Sequence, residues 1–393
     1  MKEKLCTEKS EFSMFVYIVV FLTNIGQTPT LIDNFQTRIM IIPLWLIFAA
    51  ICILKNHILY LGKSKFVWIL AGWWTIIYLV GSLFINGYSN SDLPYTIYLS
   101  LFILLTGLMA GNSLKNNDME RIFTAYVLSG MIVCVDTFLT YVYGRSFAGR
   151  VYSYDSKNSV SQILLTVWVV ILICKFRMGL ETRKKILYAG EFLLLTVTLI
   201  GLKSRASLIA IPVVLMWLIL HGKMNKQLRN TIFAILLFVL FFLIFNPRYM
   251  EILIYDVLLG GRDISNLNDI SSGRASEWQT FFSDFINKPF LGHGRMKRES
   301  LILTSLLEFG LLGGGAILII ACWPLYWAIR YFRKKNSDYL IFSSIAIVYL
   351  INGIFEQLAP FGPGVKCYFL WFLLGIYISR VSNNSDIRRK NYG

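Results

Sequence analysis

The chain has 393 residues, of which 56% are hydrophobic and only 15% charged. A soluble globular protein carries about 25% charged residues, so this chain lacks the polar surface that keeps a protein in water. A soluble enzyme, a fibrous protein and a disordered chain are excluded. Long apolar runs recur along the whole length, each about long enough to cross a roughly 30 Å hydrocarbon core. The expected fold class is an all-α polytopic membrane protein, with residues 1–393 forming a single integral membrane domain. The net charge of +16 would suggest nucleic acid in a soluble protein. In a membrane protein it reflects lysine and arginine held in cytoplasmic loops, so the expected partner is the lipid bilayer and not nucleic acid.

In chain order, about twelve transmembrane helices are expected, at roughly 12–25, 39–54, 66–86, 94–111, 122–143, 160–175, 187–202, 204–220, 231–246, 309–329, 339–355 and 365–380. The first run follows a basic segment but lacks a small-residue cleavage site, so it reads as a span and not as a signal peptide. Clusters such as Arg183, Lys184 and Lys185, or Arg333, Lys334 and Lys335, place the even-numbered ends and both termini in the cytoplasm. Six cysteines are scattered without a CxxC pair, which argues against a disulfide framework or a metal knuckle.

The outer loops are unequal. Residues 144–159 form an intermediate one, and 247–300 form a large extracytoplasmic loop between the ninth and tenth spans. A connection this long is functional or disordered, and its composition is not that of disorder. Over 273–287, Arg274, Trp278, Phe281 and Phe285 recur at helical spacing. Pro289 stops the helix, and Gly292, His293 and Gly294 make a turn. An interfacial helix with its aromatic face toward lipid is expected, with Arg274 at its N-terminal end.

Several residues could carry chemistry. His57 and His221 are expected on one side of the membrane and His293 on the other, so no metal and no cofactor is expected. In the turn Leu202-Lys203-Ser204-Arg205, the start of the eighth span offers free N–H groups, a Ser204 cap and the Arg205 guanidinium. That set suits a phosphate, although an interfacial arginine snorkelling to headgroups has the same signature. Arg145 and Arg150, followed by Tyr152 and Tyr154, fit a lipid-linked phosphorylated sugar, since arginine pairs with diphosphate and rings stack on pyranose faces. They equally fit an aromatic belt. Trp278 is a third aromatic candidate for glycan contact. Asp136 lies about 10 Å inside the fifth span, where ionisable groups are functional or paired. It reads as a counter-ion that supports an outer-loop arginine.

Four stretches in order carry a resemblance: Ser204-Arg205-Ala206-Ser207; Ser272-Gly273-Arg274 with Trp278; Pro289-Phe290-Leu291-Gly292-His293-Gly294; and Leu303 and Leu306 followed by Glu308, Gly310, Leu311, Leu312 and Gly313. With Arg150 and Asn158 upstream, they resemble the O-antigen polymerase and ligase superfamily. The resemblance implies an inverting, metal-independent glycosyltransferase of the cytoplasmic (inner) membrane, with its site on the outer face. Its donor would be an undecaprenyl-diphosphate-linked oligosaccharide, bound through Arg205 and Arg274 with Arg150 and Ser204. The ligase branch has a His-Asn pair where this chain has Glu299 and Ser300, so Glu299 is the candidate base, with His293 as the alternative. The expected activity is polymerisation of repeat units into O-antigen or capsular polysaccharide, with a chain-length regulator protein as a further partner. A ligase acting on finished glycan is the nearer rival. A flippase is the farther one, because the chain shows no internal repeat and few intramembrane charges.

Overall fold

The structure is a computed structural model that describes residues 2–35, 38–55, 62–85, 88–114, 116–143, 154–175, 182–220, 230, 233, 237, 241, 245–251, 273–330 and 337–392. The described residues contain helices and no strand. This is what a hydrocarbon solvent demands, because a helix pairs every backbone polar group within its own segment.

The helices are α1 (Lys2–Ile25), α2 (Pro29–Phe35), α3 (Arg38–Lys55), α4 (Lys65–Phe84), α5 (Leu93–Ser113), α6 (Asn116–Thr137), α7 (Tyr154–Lys175), α8 (Thr182–Gly201), α9 (Arg205–Leu220), α10 (Pro247–Glu251), α11 (Arg274–Asn287), α12 (Leu301–Arg330), α13 (Ser337–Phe355) and α14 (Tyr368–Tyr392). A π-helical turn, Phe138–Tyr143, prolongs α6. Helices stand at each expected span except 231–246, most of which lies outside the described residues. Five of them are by themselves long and apolar enough to cross a membrane: Lys65–Phe84, Leu93–Ser113, Asn117–Thr140, Leu301–Arg330 and Asp338–Phe355. The described residues are all-helical apart from turns and loops, consistent with a polytopic membrane protein.

The core is built around α5 and α14, which approach until backbone meets backbone. A Cβ added at Gly107 would lie 2.4 Å from the Phe372 carbonyl oxygen, and one at Gly375 would lie 2.4 Å from that of Leu104. Small residues at such a crossing let dispersion contacts act where no hydrophobic effect drives helices together. Trp45, Phe48, Tyr368 and Phe372 fill the adjoining space as edge-to-face rings.

Loops that alternate to the same side in the expected topology are the ones that touch. At one end, Arg380 of α14 reaches Asp338 at 4.0 Å and donates to the Leu114 carbonyl at 3.2 Å. At the other end meet residues 88–92, the starts of α7, α9, α11 and α12, and the loop after α13.

Two details differ from the sequence reading. Helix α12 begins at Leu301, not at 309, and is broken at Gly310 (φ 62°, ψ −168°). The helix expected at the interface is present as α11, but of the face expected to meet lipid Phe281 and Phe285 are turned inward, while Trp278 stays exposed. Phe281 is buried against Leu303 and Leu307, with Phe285 packed beside them. The early segment of α12 supplies that apolar partner, so Phe281 never needs lipid. The exposed row of α11 is Trp278, Phe282 and Ile286, spaced one turn apart.

Candidate functional site

Arg274 opens α11 directly after Gly273, whose left-handed φ of 86° turns the chain into the helix. A cation in a first helical turn is opposed by the helix dipole, so this guanidinium must be held by partners from elsewhere. Its Nη2 donates to the Glu299 carboxylate at 2.9 Å and to the Phe355 carbonyl at 2.9 Å. The Glu356 carboxylate stands 3.9 Å away, and the guanidinium lies 5.9 Å from the centre of the Phe355 ring. The Glu299 N–H donates to Glu277 at 3.0 Å, one turn along α11, which fixes the backbone that carries Glu299. The side chains of Arg274, Glu299 and Glu356 are 15%, 34% and 19% exposed, so this is a half-sheltered cluster at the end of the bundle, not a surface ion pair.

The cluster extends to α7 and α9. Asn158 donates to Glu356 at 2.8 Å. One turn further along α7, Ser161 shares a hydrogen bond of 2.8 Å with Ser207 of α9. Ser204 donates to Ser207 at 3.4 Å, so its hydroxyl bonds to a side chain at the helix start. Arg205, half-buried, is the first residue of α9. The tight turn before it is closed by Lys203 in the left-handed region at φ 50°. Arg205 and Arg274, about seventy residues apart in sequence, therefore belong to helix starts joined by one polar chain: Arg274, Glu356, Asn158, Ser161 and Ser207.

His293 belongs to a different construction. The break at Gly310 frees two carbonyls and two amides of α12, and the turn after α11 takes all four. His293 N–H donates to the Leu307 carbonyl at 2.8 Å and Gly294 N–H to that of Glu308 at 3.1 Å. In return Leu311 N–H donates to the Pro289 carbonyl at 2.7 Å and Leu312 N–H to that of Phe290 at 3.2 Å. The two backbones are so close that a Cβ on Gly310 would stand 2.3 Å from the Phe290 carbonyl carbon. The His293 ring is 2.6 Å through Nε2 from the Asp284 carbonyl, which ties the turn back to α11. Below it, the buried Glu308 carboxylate accepts from Ser91 Oγ at 2.5 Å and from the Met296 N–H at 3.2 Å. Tyr88 donates to the Leu291 carbonyl. Burial first, and the Glu308 carboxylate second, push the Tyr88 phenol up to about 12.

The remaining expected residues are placed elsewhere. Asp136 accepts from the Thr30 N–H at 3.0 Å and from its hydroxyl at 2.5 Å. It thus holds the start of α2; the sequence reading makes it the counter-ion of an outer-loop arginine, and the arginines of that loop, Arg145 and Arg150, lie outside the described residues. Arg145, Arg150 and Tyr152 lie outside the described residues, as does the side chain of Tyr154. Trp278 is 42% exposed on α11, one turn beyond Arg274. Among the described residues, no three of His, Cys, Asp and Glu gather as a metal site would require.

Glu356 and its neighbours were missed by the sequence reading. The signal was present: a carboxylate at the end of a span, followed by a short loop with Pro360, Gly362, Pro363 and Gly364. Such residues give a loop of fixed course, and a loop of fixed course can hold a charge in place.

No curated protein matches the chain. Residues 191–320 match the family model described as O-antigen ligase. That stretch contains Arg205, Arg274, His293, Glu299 and Glu308, whereas Asn158 and Glu356 lie outside it. Over these residues the chain is similar to the O-antigen ligase family, consistent with the O-antigen polymerase and ligase superfamily that its motifs resemble.

Proposed function

We propose that this inner-membrane protein polymerises oligosaccharide repeat units carried on undecaprenyl diphosphate, forming O-antigen or capsular polysaccharide on the outer face of the membrane. The similarity over 191–320 suggests a polymerase- or ligase-type activity. The observation that carries the finer reading is the Arg274–Glu299 pair at 2.9 Å. It joins a fixed guanidinium to the residue that stands where the ligase branch has histidine.

The chemistry follows from that pair. The acceptor hydroxyl attacks the anomeric carbon from the face opposite the diphosphate. Its O–H bond breaks, a new C–O bond forms with inversion, and the bonding pair of the old C–O bond leaves with the diphosphate. The protein must stabilise charge on the leaving group, and preorganised guanidinium groups in a water-poor site contribute a few kcal/mol each. Arg274 and Arg205 are assigned to the diphosphate, with Ser204 and Arg150 beside them. When the diphosphate engages Arg274, the guanidinium no longer needs Glu299, and the freed carboxylate takes the acceptor proton. His293, the alternative base, faces the Asp284 carbonyl through Nε2, so Nδ1 is the nitrogen through which it would act. Trp278, Tyr152 and Tyr154 are assigned to glycan faces.

The test uses the purified chain in liposomes with its lipid-linked repeat unit. A ladder of products that persists in excess EDTA is the expected result. Transfer confined to a lipid A-core acceptor would make it a ligase, and movement of lipid across the bilayer without any glycosidic bond would make it a flippase.

A further inference from the structure

A groove of about 660 Å³ lies where the start of α4 meets the end of α12. The two helices run antiparallel. Trp73 in mid-α4 donates to the Leu312 carbonyl at 3.2 Å, and Lys63, just before α4, lines the same groove as Arg330, the last residue of α12. About twenty residues of α12 separate Arg330 from the break at Gly310, or about 30 Å at 1.5 Å per residue. That is the thickness of a hydrocarbon core. The groove therefore opens at the membrane boundary opposite to the 289–294 turn and Arg274. The distribution of basic residues in the sequence is expected to put this boundary on the cytoplasmic side.

The lining divides by chemistry. Trp323 is buried, whereas Phe66 and Tyr326 are about half exposed and Cys322 is exposed. The charges are Lys63 and Arg330, with no carboxylate among the described residues that line the groove. Arg330 donates to the Tyr326 hydroxyl and lies 5.6 Å from the centre of that ring, so its guanidinium is held against the aromatic wall. Lys63 is exposed on the turn Gly62–Ser64. Ser64 accepts from Trp68 Nε1 at 3.1 Å, which ties that turn to α4.

In a bilayer, lipid chains fill a groove of this kind, because its lining would otherwise forfeit dispersion contacts. Charge then decides the headgroup. Arginine offers a phosphate its fork and lysine a point charge. A zwitterionic headgroup brings its own cation against Lys63 and Arg330, which no carboxylate of the described lining offsets. Basic pockets between spans on the cytoplasmic side suit anionic lipid for the same reason. We propose that the groove between α4 and α12 binds an anionic phospholipid, with its phosphate between Lys63 and Arg330 and its chains against Phe66 and Trp323. Such a lipid braces α4, whose buried residues Val67, Ala71, Trp74, Ile77 and Gly81 form a single stripe. The site is separate from the one assigned to glycan transfer, and its test needs no activity.

The test follows maleimide labelling of Cys322 in the purified full chain in detergent, read by mass spectrometry on the peptide that carries it. Phosphatidylglycerol, phosphatidylcholine, undecaprenyl phosphate and inorganic phosphate are added in turn, each against the rate without additive. Phosphatidylglycerol should slow labelling at a concentration about tenfold or more below that needed of phosphatidylcholine, and inorganic phosphate should have no effect. Lys63→Gln combined with Arg330→Gln should bring the two phospholipids level. If that variant folds poorly, Lys63→Glu, on the exposed turn, should weaken protection by phosphatidylglycerol and leave that by phosphatidylcholine unchanged. Equal protection by both phospholipids in the unmodified chain overturns the proposal, as does a rate that no lipid changes or a preference that survives in the variants. Protection by inorganic phosphate, or stronger protection by undecaprenyl phosphate, overturns it too, by giving the groove to a free anion or to a polyprenyl carrier.

Discussion

Two constructions, both drawn from the quoted motifs, sit side by side at one end of the bundle. Around Arg274, charges meet from the start of α11 and from the segments just before α12 and just after α13, and Arg274 Nε is buried with no hydrogen-bond partner among the described residues. Around Gly310, some residues away, the backbone groups set free by the broken helix are all taken by the 289–294 turn. The first arrangement retains polar capacity at a cost to stability. The second spends its polar groups on holding α11, the turn and α12 as one rigid piece. Under the proposed function, the comparison separates residues assigned to the substrate from residues that keep the others in position, a distinction that motif reading by itself does not make.

That division can be broken by substitution. The largest effect should come from Gly310→Ala. Its φ of 62° with ψ of −168° is a region open essentially to glycine, and the added Cβ would meet the Phe290 carbonyl carbon at 2.3 Å. Strain and overlap together should cost about 4 kcal/mol, seen as a large drop in thermal midpoint or a failure to recover folded protein. A midpoint near that of the unmodified chain would mean that the broken helix is not what holds the turn.

Arg274→Lys should do the reverse. The charge remains but the forked geometry is lost, so polymer formation should fall by about 10²-fold or more, while the thermal midpoint moves by a few degrees at most. Full activity in this variant and in Arg205→Lys would remove the shared diphosphate site.

The contrast sharpens between Glu299 and His293. Glu299→Gln keeps a polar side chain beside Arg274 and should reduce turnover by about 10²-fold with donor binding retained. His293→Gln should cost about 1 kcal/mol of stability through the lost Asp284 contact and less than tenfold in turnover. The opposite ranking in a purified assay would move the base from Glu299 to His293.

Much of the fold was legible because membrane spans announce themselves by composition, and α11 because its aromatic residues repeat at helical spacing. What was not legible depends on contacts across the chain. The inward turn of Phe281 follows from the early start of α12, whose residues 301–308 fall outside the span read at 309–329. Asp136 reads as an arginine's counter-ion because an ionisable group at that depth wants a partner, and among the described residues it accepts from Thr30 at the start of a short helix. Arg205 and Arg274 stood out as charges at helix starts. Glu356 did not, because its significance comes from Arg274 and Asn158, which a chain of 393 residues brings together only on folding.

The smallest expected effect tests the rigid construction at its edge. Tyr88 is buried, its ring stacked near Tyr78 and tilted against Phe309 at a centroid distance of 5.0 Å, and its hydroxyl donates to the Leu291 carbonyl. Tyr88→Phe keeps the ring contacts and loses that one hydrogen bond, a cost of about 1 kcal/mol. In a protein of this size that is about one to two degrees of thermal midpoint. The pH dependence makes the small effect specific. The folded state holds the phenol proton up to about 12, against 10.0 for an ordinary tyrosine. The folded state therefore binds more protons than the unfolded one between those values, and stability falls as pH rises through that window. Below pH 10 the tyrosine form should be the more stable of the two. Above it, that advantage should shrink, because phenylalanine has no proton to lose. Thermal midpoints of both forms at pH 8, 10 and 11 measure this directly, and a gap that stays constant across them would show that the Tyr88 hydroxyl does not anchor the turn.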